Sequence, residues 1–354
     1  MKPLGLGMIG LHHQHPRWYF PLWAHLDTYQ PRVICDDDPV FLESENEFFD
    51  LDTTTDYHEV LARDDVDVVI IWLEHSRMPD AVAAAAEAGK HVIVEKPGAA
   101  NVAGAKRIVE TAAAHPNIRI SSPYCWRTHL VSDQIRDTIA AGHLGQLFTV
   151  EGRLNAGGAH RYIRDNAPWM LTEGEGGGPM WNLGVHWVDY FRAMTGQEIV
   201  QVAGVAAGPW GDPPRHIEDS AQALLKFDSG ATGILDISYT MPTAYPGARD
   251  IFVSFRGTTG DITWAPAWEG VTDEVLIVSE ADNAPEPCRR IAVTSPEIPG
   301  YCGHMAWAWL NDFAQAVDQQ RDPIATPHDI LRAVQVVDAY YRSLKSGKLE
   351  DVEQ

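Results

Sequence analysis

The sequence has no apolar run approaching the roughly 18 residues that span a bilayer, so no membrane partner is expected. It has only four cysteines, Cys35, Cys125, Cys288 and Cys302, far apart and without a CxxC pair. That excludes a zinc ribbon or a disulfide framework and fits reduced thiols in a cytoplasmic protein. Lysine is scarce, with seven residues, and 27 basic residues stand against 49 acidic ones, for a net charge of −22. Such a surface repels phosphate backbones, so nucleic acid is not an expected partner. Met1-Lys2-Pro3 runs directly into the apolar stretch Leu4–Ile9, which is not the pattern of a secretory leader. Internal repeats and low-complexity tracts are also missing.

What is present is enough chain for two domains, 354 residues with 45% hydrophobic content. Short apolar runs at Leu4–Ile9, Arg32–Cys35, Val66–Leu73, His91–Val94 and Ile118–Ser121 read as strands. Tyr57–Arg63, Pro79–Ala88 and Asn101–Ala114 read as helices between them, with Gly89 suited to a C-cap. The alternation predicts an α/β Rossmann domain with a doubly wound parallel sheet over residues 1–123. The rest, 124–354, predicts an α+β domain for substrate binding and oligomerisation. Its helix Ser132–Ala141 and strand Gln146–Leu154 precede a long irregular stretch, Asn155–Pro179, rich in glycine and aromatics. After a helix at Met180–Met194, strands at Val200–Val205, Ala221–Phe227, Gly233–Tyr239, Ile251–Arg256 and Asp261–Trp264 suggest one large open, mostly antiparallel sheet. Helices at Met305–Gln319 and Asp329–Ser346 close the chain and can return to the first domain.

The first strand leads into Gly10-Leu11-His12-His13-Gln14-His15, where a G-x-G-x-x-G turn would hold a pyrophosphate at a helix N-terminus. Gly10 keeps the first glycine, while His12 and His15 replace the second and third. A β-carbon at position 12 pushes the phosphates outward, although the helix N-terminus still offers N–H groups. His12-x-x-His15 supplies two possible metal ligands, but no cysteine or carboxylate stands nearby to complete a set, so no metal is expected. Asp36 ends the second strand about 20 residues beyond the turn, where an acid bonds the adenosine ribose hydroxyls. With Asp37 and Asp38 beside it and no arginine adjacent, a 2′-phosphate is disfavoured, which predicts NAD over NADP.

At Gly89-Lys90-His91-Val92-Ile93-Val94-Glu95-Lys96-Pro97 the sequence resembles the glucose–fructose oxidoreductase/inositol dehydrogenase/MocA family, whose signature is A-G-K-H-V followed by E-K-P. The resemblance extends over nearly the whole chain. Gly142-His143-Leu144-Gly145-Gln146 matches a turn, Gly176-Gly177-Gly178 with Asn182-Leu183-Gly184-Val185-His186-Trp187-Val188-Asp189 a helix, and Arg256-Gly257-Thr258-Thr259-Gly260-Asp261 a further turn. Asp312-Phe313 fits the closing helix. The resemblance implies an NAD-dependent enzyme moving hydride between the nicotinamide and a secondary hydroxyl of a sugar, sugar acid or cyclitol, built as a homodimer or homotetramer. It implies cofactor contacts from Gly10, Leu11, His12, His13, Asp36, Leu73, Glu74, His75, Glu95 and Lys96. Lys96 and His186 carry the catalysis it implies: a base of near-neutral pKa takes the hydroxyl proton, and a lysine cation stabilises developing alkoxide.

Three departures qualify that expectation. His12 and His15 stand in place of glycines. Leu73-Glu74-His75 replaces T-P-N after the third core strand, putting a carboxylate and an imidazole where the nicotinamide is bordered. Asn182 replaces an aspartate and cannot ionise, so acid–base work falls to His186, with Lys96, Glu74 or His75 assisting. For the substrate, Trp126, Arg127, Arg164, Asn182 and His186 are the candidate contacts, and His160-Arg161-Tyr162-Ile163-Arg164 is a local basic cluster able to pair with an acidic sugar substituent. Two other readings remain open: redox-assisted glycoside cleavage, in which bound NAD oxidises a ring hydroxyl before elimination, and a non-catalytic dinucleotide-binding regulator.

Overall fold

A computed structural model describes residues 2–211, 214–242, 244–267 and 271–353. The chain forms two compact units. One comprises Met1–Cys125, Tyr162–Gly176 and Ile298–Val334; the other comprises Trp126–Arg161, Gly177–Glu297 and Gln335–Gln354. The division is therefore not a single cut near residue 123, because two later segments join the first unit.

The first unit opens with β1 (Leu4–Ile9), α1 (His15–Trp23), β2 (Tyr29–Cys35), α2 (Pro39–Phe49) and β3 (Asp52–Thr54). It continues through α3 (Tyr57–Leu61), β4 (Val68–Ile71), α4 (Met78–Glu87), β5 (His91–Val94), α5 (Val102–Ala114) and β6 (Ile120–Ser121). The six strands are parallel in the order β3-β2-β1-β4-β5-β6. The order reverses between β1 and β4, the switch point beyond whose carboxyl ends ligands bind in such sheets. The strand cores are fully buried β-branched runs, as a sheet covered on both faces requires. The helix Gly303–Gln319 adds Trp309, Leu310 and Phe313 to the core formed by Leu6, Met8, Tyr19 and Leu22. Tyr29 Oη fastens it by donating to the Leu310 carbonyl at 2.7 Å.

The second unit begins with α6 (Leu130–Ala140) and β7 (Leu147–Gly157); the one-turn α7 (His160–Arg164) starts in it and ends in the first unit, and α8 (Val185–Thr195) of the second unit follows a π-turn at Met180–Gly184. The sheet then runs through β8 (Ile199–Ala207), β9 (Ser220–Phe227), β10 (Thr232–Met241), β11 (Arg249–Gly257), β12 (Gly260–Trp264), β13 (Thr272–Ser279), β14 (Cys288–Thr294) and β15 (Glu350–Asp351). Among the described residues its nine strands lie in the order β14-β13-β12-β11-β7-β10-β9-β8-β15, with β7 and β10 the one parallel pair. Helix α8 packs on this sheet at Gly152 of β7. A β-carbon there would fall 2.8 Å from Phe191 Cζ and 2.9 Å from Trp187 Cδ1, so only glycine admits the two rings.

The stretch 155–179 is less irregular than its composition predicts, since β7 extends to Gly157 and 3-10 turns occupy Pro168–Leu171 and Glu173–Glu175. Among the described residues no helix is long and apolar enough to cross a membrane.

Candidate active site

Gly10 leaves β1 at φ +82°, and a β-carbon there would lie 2.9 Å from the Leu73 main-chain nitrogen. Glycine is thus required for the close approach of the first turn to the end of β4. The turn enters α1, whose N-cap is Gln14, with Pro16 in the first turn and neither a side-chain cap nor an acidic residue there. Asp36 is buried at the end of β2; its Oδ2 accepts from Leu11 N at 2.7 Å and its Oδ1 from Asp38 N at 3.0 Å. The carboxylate is thereby aimed and fixed. Asp38 caps α2, accepting from Val40 N and Phe41 N. It is a structural residue and not part of a loose acidic loop.

Gly10, Asp36, Asp37, Tyr57, Leu73 and Arg77 help to line a cavity of about 210 Å³ at these strand ends. Arg77 was not among the sequence candidates, and its presence corrects the expectation that no arginine stands by the acidic cluster. Its Nη2 donates to Asp37 at 2.9 Å and its Nη1 to Glu74 at 3.0 Å, so two carboxylates already occupy the guanidinium. The same contact turns Glu74 toward Arg77. Its spacing from Leu73, at the N-cap of α4, was the available signal.

His12 is partly exposed, stacked 4.0 Å from Phe41 with Nε2 3.5 Å from Asp36 Oδ1. Its carbonyl accepts from Trp169 Nε1 at 2.7 Å, which draws the segment after α7 over the turn. His13, His15, His75, Glu95 and Lys96 form a buried polar cluster where β4 and β5 end. His15 Nδ1 lies 3.0 Å from Glu95 Oε2, and His13 Nδ1 accepts from His15 N at 3.0 Å. Burial, with further contributions from His15 and Lys96, holds the His13 pKa well below the ordinary histidine value. Burial also lowers His75 to about 3, Lys96 adding to the effect. Four buried atoms of the cluster, Glu95 Oε1, His13 Nε2 and both ring nitrogens of His75, have no hydrogen-bond partner. The expectation that no carboxylate stands by the histidine turn is corrected: the sheet brings Glu95 there from 80 positions away.

The substrate candidates behave differently from one another; Trp126, Arg127, Asn182 and His186 belong to the second unit and Arg164 to the first. His186, in the first turn of α8, is half-buried while Val185 and Trp187 beside it are buried. Asn182 is buried in the preceding π-turn. Arg127 is buried with its fork on Asp189, Nε donating to Oδ2 at 2.8 Å. Trp126 lies among Trp187 and Trp264, at ring distances of 5.1 and 5.8 Å. Arg164 is exposed and bonded to its neighbour Asp165 at 2.7 Å.

A switch-point cavity, a carboxylate fixed after β2 and the buried neighbours Glu95 and Lys96 after β5 fit the class of dinucleotide-dependent oxidoreductases. Residues 4–122 match the model of an oxidoreductase family with an NAD-binding Rossmann fold, and residues 132–263 match the GFO/IDH/MocA C-terminal domain. The chain belongs to the GFO/IDH/MocA family of NAD-binding oxidoreductases. It is 28% identical over 273 residues to a scyllo-inositol 2-dehydrogenase (NAD(+)) of Bacillus subtilis, covering 73% of this chain and 71% of that protein. It is 23% identical over 366 residues to levoglucosan dehydrogenase of Pseudarthrobacter phenanthrenivorans, covering 94% and 88%. An oxidoreductase domain protein from Kribbella flavida has the same fold, with a TM-score of 0.82 at 24% identity over the whole of both chains. A levoglucosan dehydrogenase complexed with NADH and L-sorbose superposes with a TM-score of 0.81 at 20% identity, again over both whole chains.

Proposed function

We propose that this enzyme transfers hydride between NAD and a secondary hydroxyl of a sugar, sugar acid or cyclitol. The observation that carries the reading is the buried Glu95-Lys96 pair at the carboxyl end of β5, in a chain that keeps Asp36 fixed at the ribose position. The residues fit the cofactor. Asp36 bonds the adenosine ribose, with Gly10, Leu11, Leu73 and the backbone at His12 and His13 forming the turn, and Glu74, His75 and Glu95 border the nicotinamide end. Arg77, neutralised by Asp37 and Glu74, leaves no free cation for a 2′-phosphate.

NAD supplies the hydride acceptor when bound. Lys96 orients the reacting hydroxyl and stabilises negative charge on its oxygen. His186 takes the hydroxyl proton and returns it in reduction. Asn182 donates to or accepts from a substrate hydroxyl without ionising. Arg127 acts through Asp189, holding α8 and hence His186 in place. The nine-stranded sheet is also proposed to form a homodimer or homotetramer contact. Val205, Leu224 and Ile234 are exposed on one face of it, with Leu224 directly opposite Ile234.

The test is a panel of inositols, aldoses, sugar acids and anhydrosugars with NAD, following NADH. Reduction by one of these classes supports the reading. Turnover of a glycoside without added NAD supports elimination instead, and a cofactor-bound protein inert across the panel supports a regulator.

A further inference from the structure

We infer that His13, His15 and Glu95 form a binding site for one divalent transition-metal ion, of the zinc class, beside the dinucleotide turn. The inference rests on the proposed function only in placing this cluster at the nicotinamide end of the cofactor site. The three side chains each offer one ligand atom, all within 4.8 Å of one another, and all three residues are buried. Ligand atoms about 2.1 Å from a zinc ion stand ~3–4 Å apart, so small rotamer shifts complete the site.

The cluster contains unmet bonding capacity that hydrogen bonds do not satisfy. Glu95 Oε1 and His13 Nε2 are buried without a partner, although Glu95 Oε2 is held by His15 at 3.0 Å. A buried carboxylate oxygen left unpaired is costly, and a cation removes that cost. His13 Nδ1 now accepts from the His15 N–H, so a bound ion requires the His13 ring to present its lone pair to the metal. The main-chain contact exchanged in doing so is the 3.0 Å bond from His15 N to His13 Nδ1. Two imidazoles and one carboxylate select zinc, cobalt, nickel or iron over magnesium and calcium, which prefer all-oxygen sites. Three protein ligands leave a coordination position for water or for a hydroxyl or carbonyl oxygen, the open geometry of a catalytic rather than a closed structural site. The two histidines come from the turn whose family pattern has glycine at position 15. The metal thus occupies a place that the replacement itself created.

Full-length protein is stripped with chelator and titrated calorimetrically with zinc chloride, without NAD; cobalt(II) is added in parallel and its visible d–d absorption recorded. The expected result is one zinc per chain, cobalt bands of a four- or five-coordinate ion, and no magnesium binding. Glu95→Gln, which preserves shape, and His13→Gln each weaken zinc at least tenfold. Absence of stoichiometric zinc uptake, or an unchanged affinity in both variants, overturns the inference. NAD binding by the same stripped protein is measured separately. NAD without zinc binding rejects only the metal site, and zinc without NAD binding rejects the cofactor reading and leaves the metal site standing.

Discussion

Trp169 Nε1 donates to the carbonyl of His12 at 2.7 Å, joining residues 157 positions apart at the dinucleotide turn. The same indole meets His75 edge-on at 4.8 Å. Trp169 therefore reports on the turn. Replacing it with phenylalanine removes one hydrogen bond, worth about 1 kcal/mol of stability. It is also expected to remove most of the tryptophan quenching that NAD produces. Quenching of wild-type size in Trp169→Phe would place the reporter elsewhere.

Asp36 is the ribose anchor of this account. Asp36→Ala is expected to weaken NAD binding at least tenfold and to narrow its preference over NADP, read by parallel titrations. Arg77 is the residue to add to that test. Asp37→Asn with Glu74→Gln frees its guanidinium and should improve NADP binding. Equal affinity for the two cofactors in the wild-type chain would remove Asp36 from this role.

Two imidazoles, of buried His75 and half-buried His91, set an acid limit on stability. Burial lowers His75 to about 3, and burial with Arg119 lowers His91 to about 4. Both stay neutral in the fold but take a proton in the unfolded chain below about pH 6.5. Stability is complete above that pH and falls as pH drops toward the folded values, by up to about 1.4 kcal/mol per unit for each group. His91 Nδ1 accepts from Arg119 N at 3.0 Å, so His91→Asn lowers stability at neutral pH but flattens the decline between about pH 6.5 and pH 4. A melting temperature of His91→Asn that falls with acid as steeply as wild type would contradict this.

The Arg127–Asp189 pair is buried on both sides. Removing one partner strands a charge. Asp189→Asn is expected to cost about 3–5 kcal/mol in denaturant unfolding, whereas the double replacement by leucines costs less. A cost below 1 kcal/mol for Asp189→Asn would show that the pair does not anchor α8.

The sequence pattern places β1 and β5 where the structure has them, because both are short β-branched or apolar runs bounded by turn residues. It also anticipates the nine-stranded sheet in type. It does not mark α2, β13 or β14: the buried Asp273 interrupts the apolar face of β13, and β14 has few buried residues to set an alternation. The site was half visible. Gly10, Asp36 and Lys96 follow from local motif positions, but the meeting of His15 with Glu95 depends on strand order. Only β4 separates β1 from β5, so their ends lie about 10 Å apart, and two side chains span that distance. No local spacing encodes such a contact. Arg127 is the converse case. Its position suggested substrate, and only the fold shows its fork engaged by Asp189.

The most direct test of the central claim is turnover of His186→Ala on the best substrate of the panel, with NAD affinity measured on the same protein. The account predicts NADH formation reduced by at least a hundredfold, the usual scale for a lost acid–base group, with NAD affinity unchanged. A variant that turns over at wild-type rate, with NAD bound, would contradict it.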